Sequence, residues 1–123
     1  MSHQLTRMFG KNAFGNLWNN AEVEHDGTSN EVDIEHFPHI SIMINIYSDE
    51  ANETEQNATI NFEASPDGEH WTFCGQITEN LPQGGKSKAH IFETVGTKYI
   101  RLVRDDDAAD DNVFINATIQ AKG

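Results

Sequence analysis

Cysteine, proline and basic residues are scarce in this chain, and each shortage closes off a class of protein. A single cysteine, Cys74, in 123 residues leaves no internal disulfide, so the fold must rest on its own core. Eight Lys and Arg stand against 20 Asp and Glu, a net charge of −12. An acidic body repels phosphate backbones and anionic lipid surfaces, which sets aside nucleic acid and membranes as partners. Long apolar runs are missing as well. No 18-residue stretch suits a membrane-spanning helix and no charged-then-apolar leader opens the chain, so synthesis in a cytoplasm is expected. The sequons beginning at Asn52, Asn57 and Asn116 would matter only in a secretory pathway. The last absence is helical period: no stretch of useful length repeats at 3.6 residues, and less than about a tenth of the chain is expected to be helical.

What is present is alternation. The apolar fraction of 37% is low, but its large members fall in short period-two runs, and the length suits one domain with a real core. Val32 and Ile34 alternate with charges over Glu31–Glu35; Ile40, Ile42, Ile44 and Ile46 alternate with Ser41, Met43, Asn45 and Tyr47; Val113, Ile115, Ala117 and Ile119 close the series. Ala21–His25, Ala89–Glu93 and Lys98–Arg104 are further strands, the last with Ile100 and Leu102 on one side and Tyr99, Arg101 and Val103 on the other. Polar loops are expected at Ser48–Asn57 and Thr78–Lys88, and Asp105–Asp111 is expected to be too acidic to pack. Eight or nine strands and no helix imply an all-β fold, an antiparallel two-sheet sandwich in the jelly-roll arrangement.

The stretch Ala58–Ile77 is a hairpin around Pro66-Asp67-Gly68, where Pro66 presets φ and Gly68 supplies a left-handed residue. A three-residue loop would pair Ala64 with His70 and turn Trp71 away from Ile60 and Phe62; a four-residue loop pairs Ala64 with Trp71. Burial is worth roughly 1.5–3 kcal/mol per large side chain, and one extra loop residue costs little closure entropy. The second register, with Trp71 and Phe73 buried beside Phe62, is therefore expected.

Charge is unevenly placed. All 20 acidic residues follow position 20, while Arg7 and Lys11 are the formal charges before it, so a stretch of +2 precedes one of −14. Residues 1–20 hold Leu5, Met8, Phe9, Phe14, Leu17 and Trp18 among Gly and Asn. Gly10 and Gly15 interrupt a helical stripe and the Asn-rich end interrupts a strand, so the stretch reads as an extended N-terminal arm ahead of a sandwich domain at 21–123. Its apolar anchors need cover, either from their own domain or from a neighbour.

Little points to catalysis. His36 and His39 beside Glu35 have a chelating spacing, but no Cys pair or H-E-x-x-H run accompanies them. His25, His70 and His90 read as surface groups, His3 belongs to the arm, and Cys74 reads as a half-buried packing residue. The acidic loop lacks the D-x-D-x-D-G calcium pattern and reads as solvated. No catalytic residue, metal or cofactor is assigned. For a sugar site, the outward aromatics near planar polar groups are Tyr47, Tyr99 with Arg101, and Phe114 with Asn116.

The run Ser65-Pro66-Asp67-Gly68-Glu69-His70-Trp71, followed by Lys98-Tyr99-Ile100-Arg101-Leu102, resembles the S-P-D-G-x-x-W hairpin of small β-sandwich virion proteins of tailed phages, in head-decoration (cement) and tail-associated domains. It resembles discoidin-like, galactose-binding-type domains more weakly, since their paired cysteines and usual length are missing. The phage resemblance implies a non-enzymatic protein on the virion surface, a trimer partnered by a major capsid protein or other virion proteins. The arm would supply the attachment, through Leu5, Arg7, Met8, Phe9, Lys11, Phe14, Leu17 and Trp18. Ser65, Pro66, Asp67, Gly68 and Trp71 would be structural hairpin residues. The discoidin resemblance implies instead a carbohydrate-binding module for surface or host adhesion.

Overall fold

The computed structural model describes residues 2–4, 6–7, 12–24, 26–35, 37–48, 56–81, 86–93, 97–106 and 113–122. Among them are ten strands and no helix: β1 (Ser2–Gln4), β2 (Thr6–Arg7), β3 (Asn12–Glu22), β4 (Glu31–Asp33), β5 (His39–Ser48), β6 (Gln56–Ser65), β7 (Thr72–Leu81), β8 (Lys86–Glu93), β9 (Tyr99–Arg104) and β10 (Val113–Lys122). One sheet has the order β1-β4-β9-β6-β7 and the other β2-β3-β10-β5-β8. Pairing is antiparallel throughout β3–β10, and β1 adds to β4 in parallel. Counting the eight strands β3–β10 from one, the sheets run 1-8-3-6 and 2-7-4-5, which is the jelly roll expected from the alternation.

The core lies between the sheets. Ile40, Ile42, Ile44 and Ile46 of β5 and Val113, Ile115, Ala117 and Ile119 of β10 face Ile60 and Phe62 of β6 and Ile100 and Leu102 of β9, all buried. Each strand thus delivers every second side chain inward, as a two-sheet sandwich requires.

The expected boundary between arm and domain at residue 20 does not hold. Residues 12–22 are extended, but as an integral strand paired with β10 along most of its length. Two register shifts in that pairing, flanking Ala117, explain why period-two reading fails here. The first sets Leu17 and Trp18, consecutive residues, both into the core, where Trp18 retains 6% exposure. The second accompanies Asn20 at φ 51°, a left-handed conformation that Asn tolerates. The short strand expected from Ala21 is the end of this longer one.

The hairpin register also differs from the expected one. Ala64 pairs with Thr72, one residue beyond Trp71, and Glu63 with Phe73. The cause is the turn itself: Asp67 accepts hydrogen bonds from the backbone N–H of both Glu69 and His70, at 2.8 and 2.9 Å, which keeps the chain turning through His70. Trp71 and Phe73 therefore stand on the outer side, Phe73 57% exposed. A bulge at Cys74 then moves the pairing to Phe62–Gly75 and Ile60–Ile77, returning Ile77 to the core.

Asp106 overturns the expectation that the acidic segment stays unpacked. Its carboxylate accepts from Nε and Nη2 of Arg104, at 2.9 and 3.1 Å, and from the backbone N–H of Thr59 at 2.9 Å. Arg104 is fully buried, in phase with Ile100 and Leu102, and its Nη1 donates to the Val23 carbonyl. Such a pair is tolerable in a core because the two charges meet through two hydrogen bonds and each makes a further one with the backbone. Residues 107–112 lie outside the described residues, as does His36.

Candidate functional site

The two outer faces of the sandwich carry its accessible chemistry. On the β6-β9 sheet, Arg101 sits opposite Glu63, and its Nε donates to the Glu63 carboxylate at 2.8 Å. The same guanidinium lies 4.0 Å from the ring centroid of half-buried Trp71, a cation–π stack that fixes the indole on the surface. Tyr99 stands beside them against the turn, where Gly68 (φ 80°) passes so close that a Cβ would meet its ring at 3.4 Å. Further along, Gln76 donates to Asn61 and Asn61 donates to Asp105, at 2.8 and 3.2 Å, while the hydroxyls of Thr59 and Thr78 are 3.0 Å apart. This face is internally bonded, and Phe73 projects from its edge.

The turn between β6 and β7 is built by two side chains. Ser65 Oγ accepts from the N–H groups of Asp67 and Gly68 and donates to Asp67 Oδ1. Asp67 Oδ2 meets His70 Nδ1 at 2.6 Å. The His70 and Glu69 backbone N–H groups, with the His70 ring and Ser65 adding to them, hold the Asp67 carboxyl well below the usual carboxylate range. Asp67, Glu69 and His70 bring possible metal donors within 4.8 Å of one another, but both Asp67 oxygens already serve the turn and all three residues are exposed. Ser65 and Asp67 thus hold the turn that Gly68 completes, and Trp71 stands at the surface.

The other outer face belongs to β3, β10, β5 and β8. Tyr47 and Phe114 stack with centroids 5.4 Å apart and planes 14° from parallel. The Tyr47 hydroxyl donates to Asn20 Oδ1, and the Asn20 N–H donates to Asn116 Oδ1, so the second bulge of β3 anchors the aromatic pair. Met43 and Phe14, 51% and 41% exposed, lie one strand to either side of β10: Met43 opposite Thr118, Phe14 opposite Gln120.

Of the proposed attachment residues, Leu17 and Trp18 are core and unavailable to a partner, which corrects their assignment. Phe14 is exposed. Arg7 lies in β2, paired with Ala13. Leu5, Met8, Phe9 and Lys11 lie outside the described residues. Cys74 is exposed at the bulge rather than half-buried in packing, its thiol pushed up by partial desolvation and then by the Glu63 charge, which disfavours the thiolate a nucleophile would need. His39 is exposed at the start of β5. Met43 stands outward, in the phase that alternation with the isoleucines gave it; what the sequence reading missed is the Tyr47–Phe114 contact. Residues 47 and 114 occupy matching outward phases of their strands, but only the register makes them neighbours.

No protein-family model and no curated protein sequence matches the chain. Solved structures share its fold at low identity. The SPBc2 prophage-derived protein YomS superposes with a TM-score of 0.61 at 9% identity, over 97% of this chain and 99% of that one. The K2 cleaved adhesin domain of Lys-gingipain gives 0.60 at 15% identity, over 97% and 75%. The CBM22-1–GH10 modules of Clostridium thermocellum xylanase 10B, complexed with xylohexaose, give 0.55 at 11% identity, over 91% of this chain and 22% of that one. Such identities speak to fold alone: the sandwich is one on which both prophage and carbohydrate-binding proteins are built.

Proposed function

We propose that this chain is a non-enzymatic structural protein of a phage virion, a head-decoration protein seated on the outer surface of a capsid lattice and stabilising it. The observation that carries this reading is the near end-to-end correspondence with a prophage protein: one sandwich accounts for 97% of this chain and 99% of the other. A jelly roll is a recurrent virion fold, and an acidic body suits a surface facing solvent. The lattice contact falls to the N-terminal region, where Arg7 and Lys11 offer charge opposite to that of the body and Leu5, Met8, Phe9 and Phe14 offer apolar anchors. Leu17 and Trp18 act behind them, by fixing β3. The test is co-sedimentation of the full chain with undecorated heads. Binding is expected, weakened by Phe14→Glu and by Lys11→Glu, with Cys74→Ser as a neutral control; full-chain protein that stays in the supernatant with heads rejects the proposal.

A second reading, a glycan-binding module, draws support from Trp71 held on Arg101 with Glu63 and Tyr99 beside it, a half-buried surface aromatic flanked by planar polar groups. Calorimetry with neutral oligosaccharides decides it: heat that Trp71→Ala abolishes would favour this reading, and no heat with any of them would end it.

A further inference from the structure

We infer that the outer face of the β3-β10-β5-β8 sheet is where a second copy of this chain docks. The inference rests on charge, and shares only Phe14 with the virion reading, so that Met43→Glu separates the two. In a chain with 20 carboxylates, the outward positions in the interior of this face hold none. Ser41, Met43 and Asn45 of β5 alternate with buried isoleucines, and across from them Gln120, Thr118 and Asn116 of β10 alternate with buried Ile115, Ala117, Ile119 and Ala121. On the far side, the register sets Ile91, Ala89 and Ser87 of β8 opposite Ser41, Met43 and Asn45. Carboxylates enter at the perimeter, with Glu22 opposite Phe114 and Glu93 opposite His39. The opposite sheet differs: Glu63, Asp33 and Asp105 stand on or beside its outer face.

Two of the three large apolar side chains that are exposed among the described residues, Met43 and Phe14, stand on the carboxylate-free face, with the Tyr47–Phe114 stack further along it. Depletion of charge with enrichment in aromatic residues and Met is the compositional mark of an interface centre. The charge pattern also selects the occupant. Two copies of a −12 chain repel at a distance, and this is the face on which they meet without setting carboxylate against carboxylate. A sheet face meeting itself about a two-fold axis closes into a dimer. Strand spacing of about 4.8 Å and a rise of about 3.3 Å per residue give four strands an extent of roughly 600 Å². With side-chain relief added, that approaches the ~800 Å² per partner of a standard interface.

The decisive property is salt dependence. Contact across a neutral face opposed by long-range repulsion tightens as the Debye length falls from about 10 Å at 0.1 M to about 3 Å at 1 M salt, whereas ion-paired association loosens. Sedimentation equilibrium and light scattering of the full chain, with reductant present to keep Cys74 from cross-linking copies, give the test. A dimer is expected whose Kd falls by about tenfold or more over that range. Met43→Glu and, independently, Phe14→Glu are expected to leave monomers with an unchanged denaturation profile, and Phe73→Glu on the opposite sheet to leave the dimer intact. A monomer at both salt concentrations overturns the inference, as does a trimer, a dimer that salt dissolves, or one that Phe73→Glu dissociates and Met43→Glu does not. Retention of a monomeric chain on a neutral polysaccharide matrix, lost in Met43→Glu, would assign the face to a glycan and overturn it equally.

Discussion

The outer faces of the two sheets are built from the same strand geometry and do opposite things with their side chains. On the β6-β9 sheet, polar groups bond to one another: Arg101 bridges Glu63 and Trp71, and Gln76, Asn61 and Asp105 form a chain of donors and acceptors. On the β10-β5 sheet, Met43 and Phe14 are large, exposed and apolar, and the described bonds gather at Asn20, where the Tyr47–Phe114 stack is fixed. A face whose charges are mutually satisfied is complete in water. One that is uncharged and exposes large apolar side chains in an acidic molecule gains from being covered. The pair shows that outward phase in a strand does not by itself make a residue solvent-facing in the same sense.

The comparison can be broken most forcefully through the two arginines of β9. Arg104→Ala should destabilise by about 3–5 kcal/mol, because it strands the Asp106 carboxylate in a site from which water is largely excluded. Arg101→Ala, three residues away on the outer face, should cost about 1 kcal/mol. Equal shifts in urea midpoint would mean that the two positions are not on opposite sides of the sheet. The tryptophans give the same contrast with different chemistry: about 3–5 kcal/mol for Trp18→Ala from the lost burial, against about 1 kcal/mol for Trp71→Ala. A Trp71→Ala loss as large as that of Trp18→Ala would restore the buried register expected from hairpin arithmetic.

Asp67 sharpens the comparison through pH. Its folded pKa lies below the ordinary value of 3.8, so the stabilisation it brings is fully present above that value and is lost as pH falls through the depressed one. Asp67→Asn should therefore be less stable than the parent near neutrality, with the gap closing in strong acid; a gap that widens on acidification would reverse the sign. The smallest expected effect is Met43→Glu, within about 0.5 kcal/mol of the parent in the monomer, measured by thermal unfolding at low salt and low concentration. A larger loss would place Met43 inside the fold.

Alternation made β4, β5, β6, β9 and β10 legible in the sequence, because each buries one full face and period two survives there. β3 was illegible as a strand for a physical reason: its two register shifts place Leu17 beside Trp18 and put Asn20 in a left-handed conformation, which erases the period that identifies a strand. The hairpin turn was recognisable from Ser65-Pro66-Asp67-Gly68, but its register depended on how far Asp67 would extend the turn and on the bulge at Cys74, neither of which composition encodes. Arg104 carried a readable signal, its phase with Ile100 and Leu102. A lone arginine in an inward phase reads as a strand end unless its partner Asp106 is known to fold back onto it. For the candidate faces, the sequence supplied the residues and only the pairing of strands supplied their neighbours.

The first strands of the chain bear on a different matter, the direction in which copies can add edge to edge. β1 lies along the outside of β4 and β2 along the outside of β3, so one flank of the sandwich has both sheet margins lined by the chain's own N-terminal residues, while β7 and β8 end the sheets on the other flank. A sandwich with two bare flanks can line up indefinitely into a ribbon. One that is blunted on a single side has a terminus built in, because backbone pairing at the β7-β8 flank joins two molecules and then presents only blunted flanks to a third. Short as they are, Ser2–Gln4 and Thr6–Arg7 leave few unpaired backbone groups on that flank for another chain to extend.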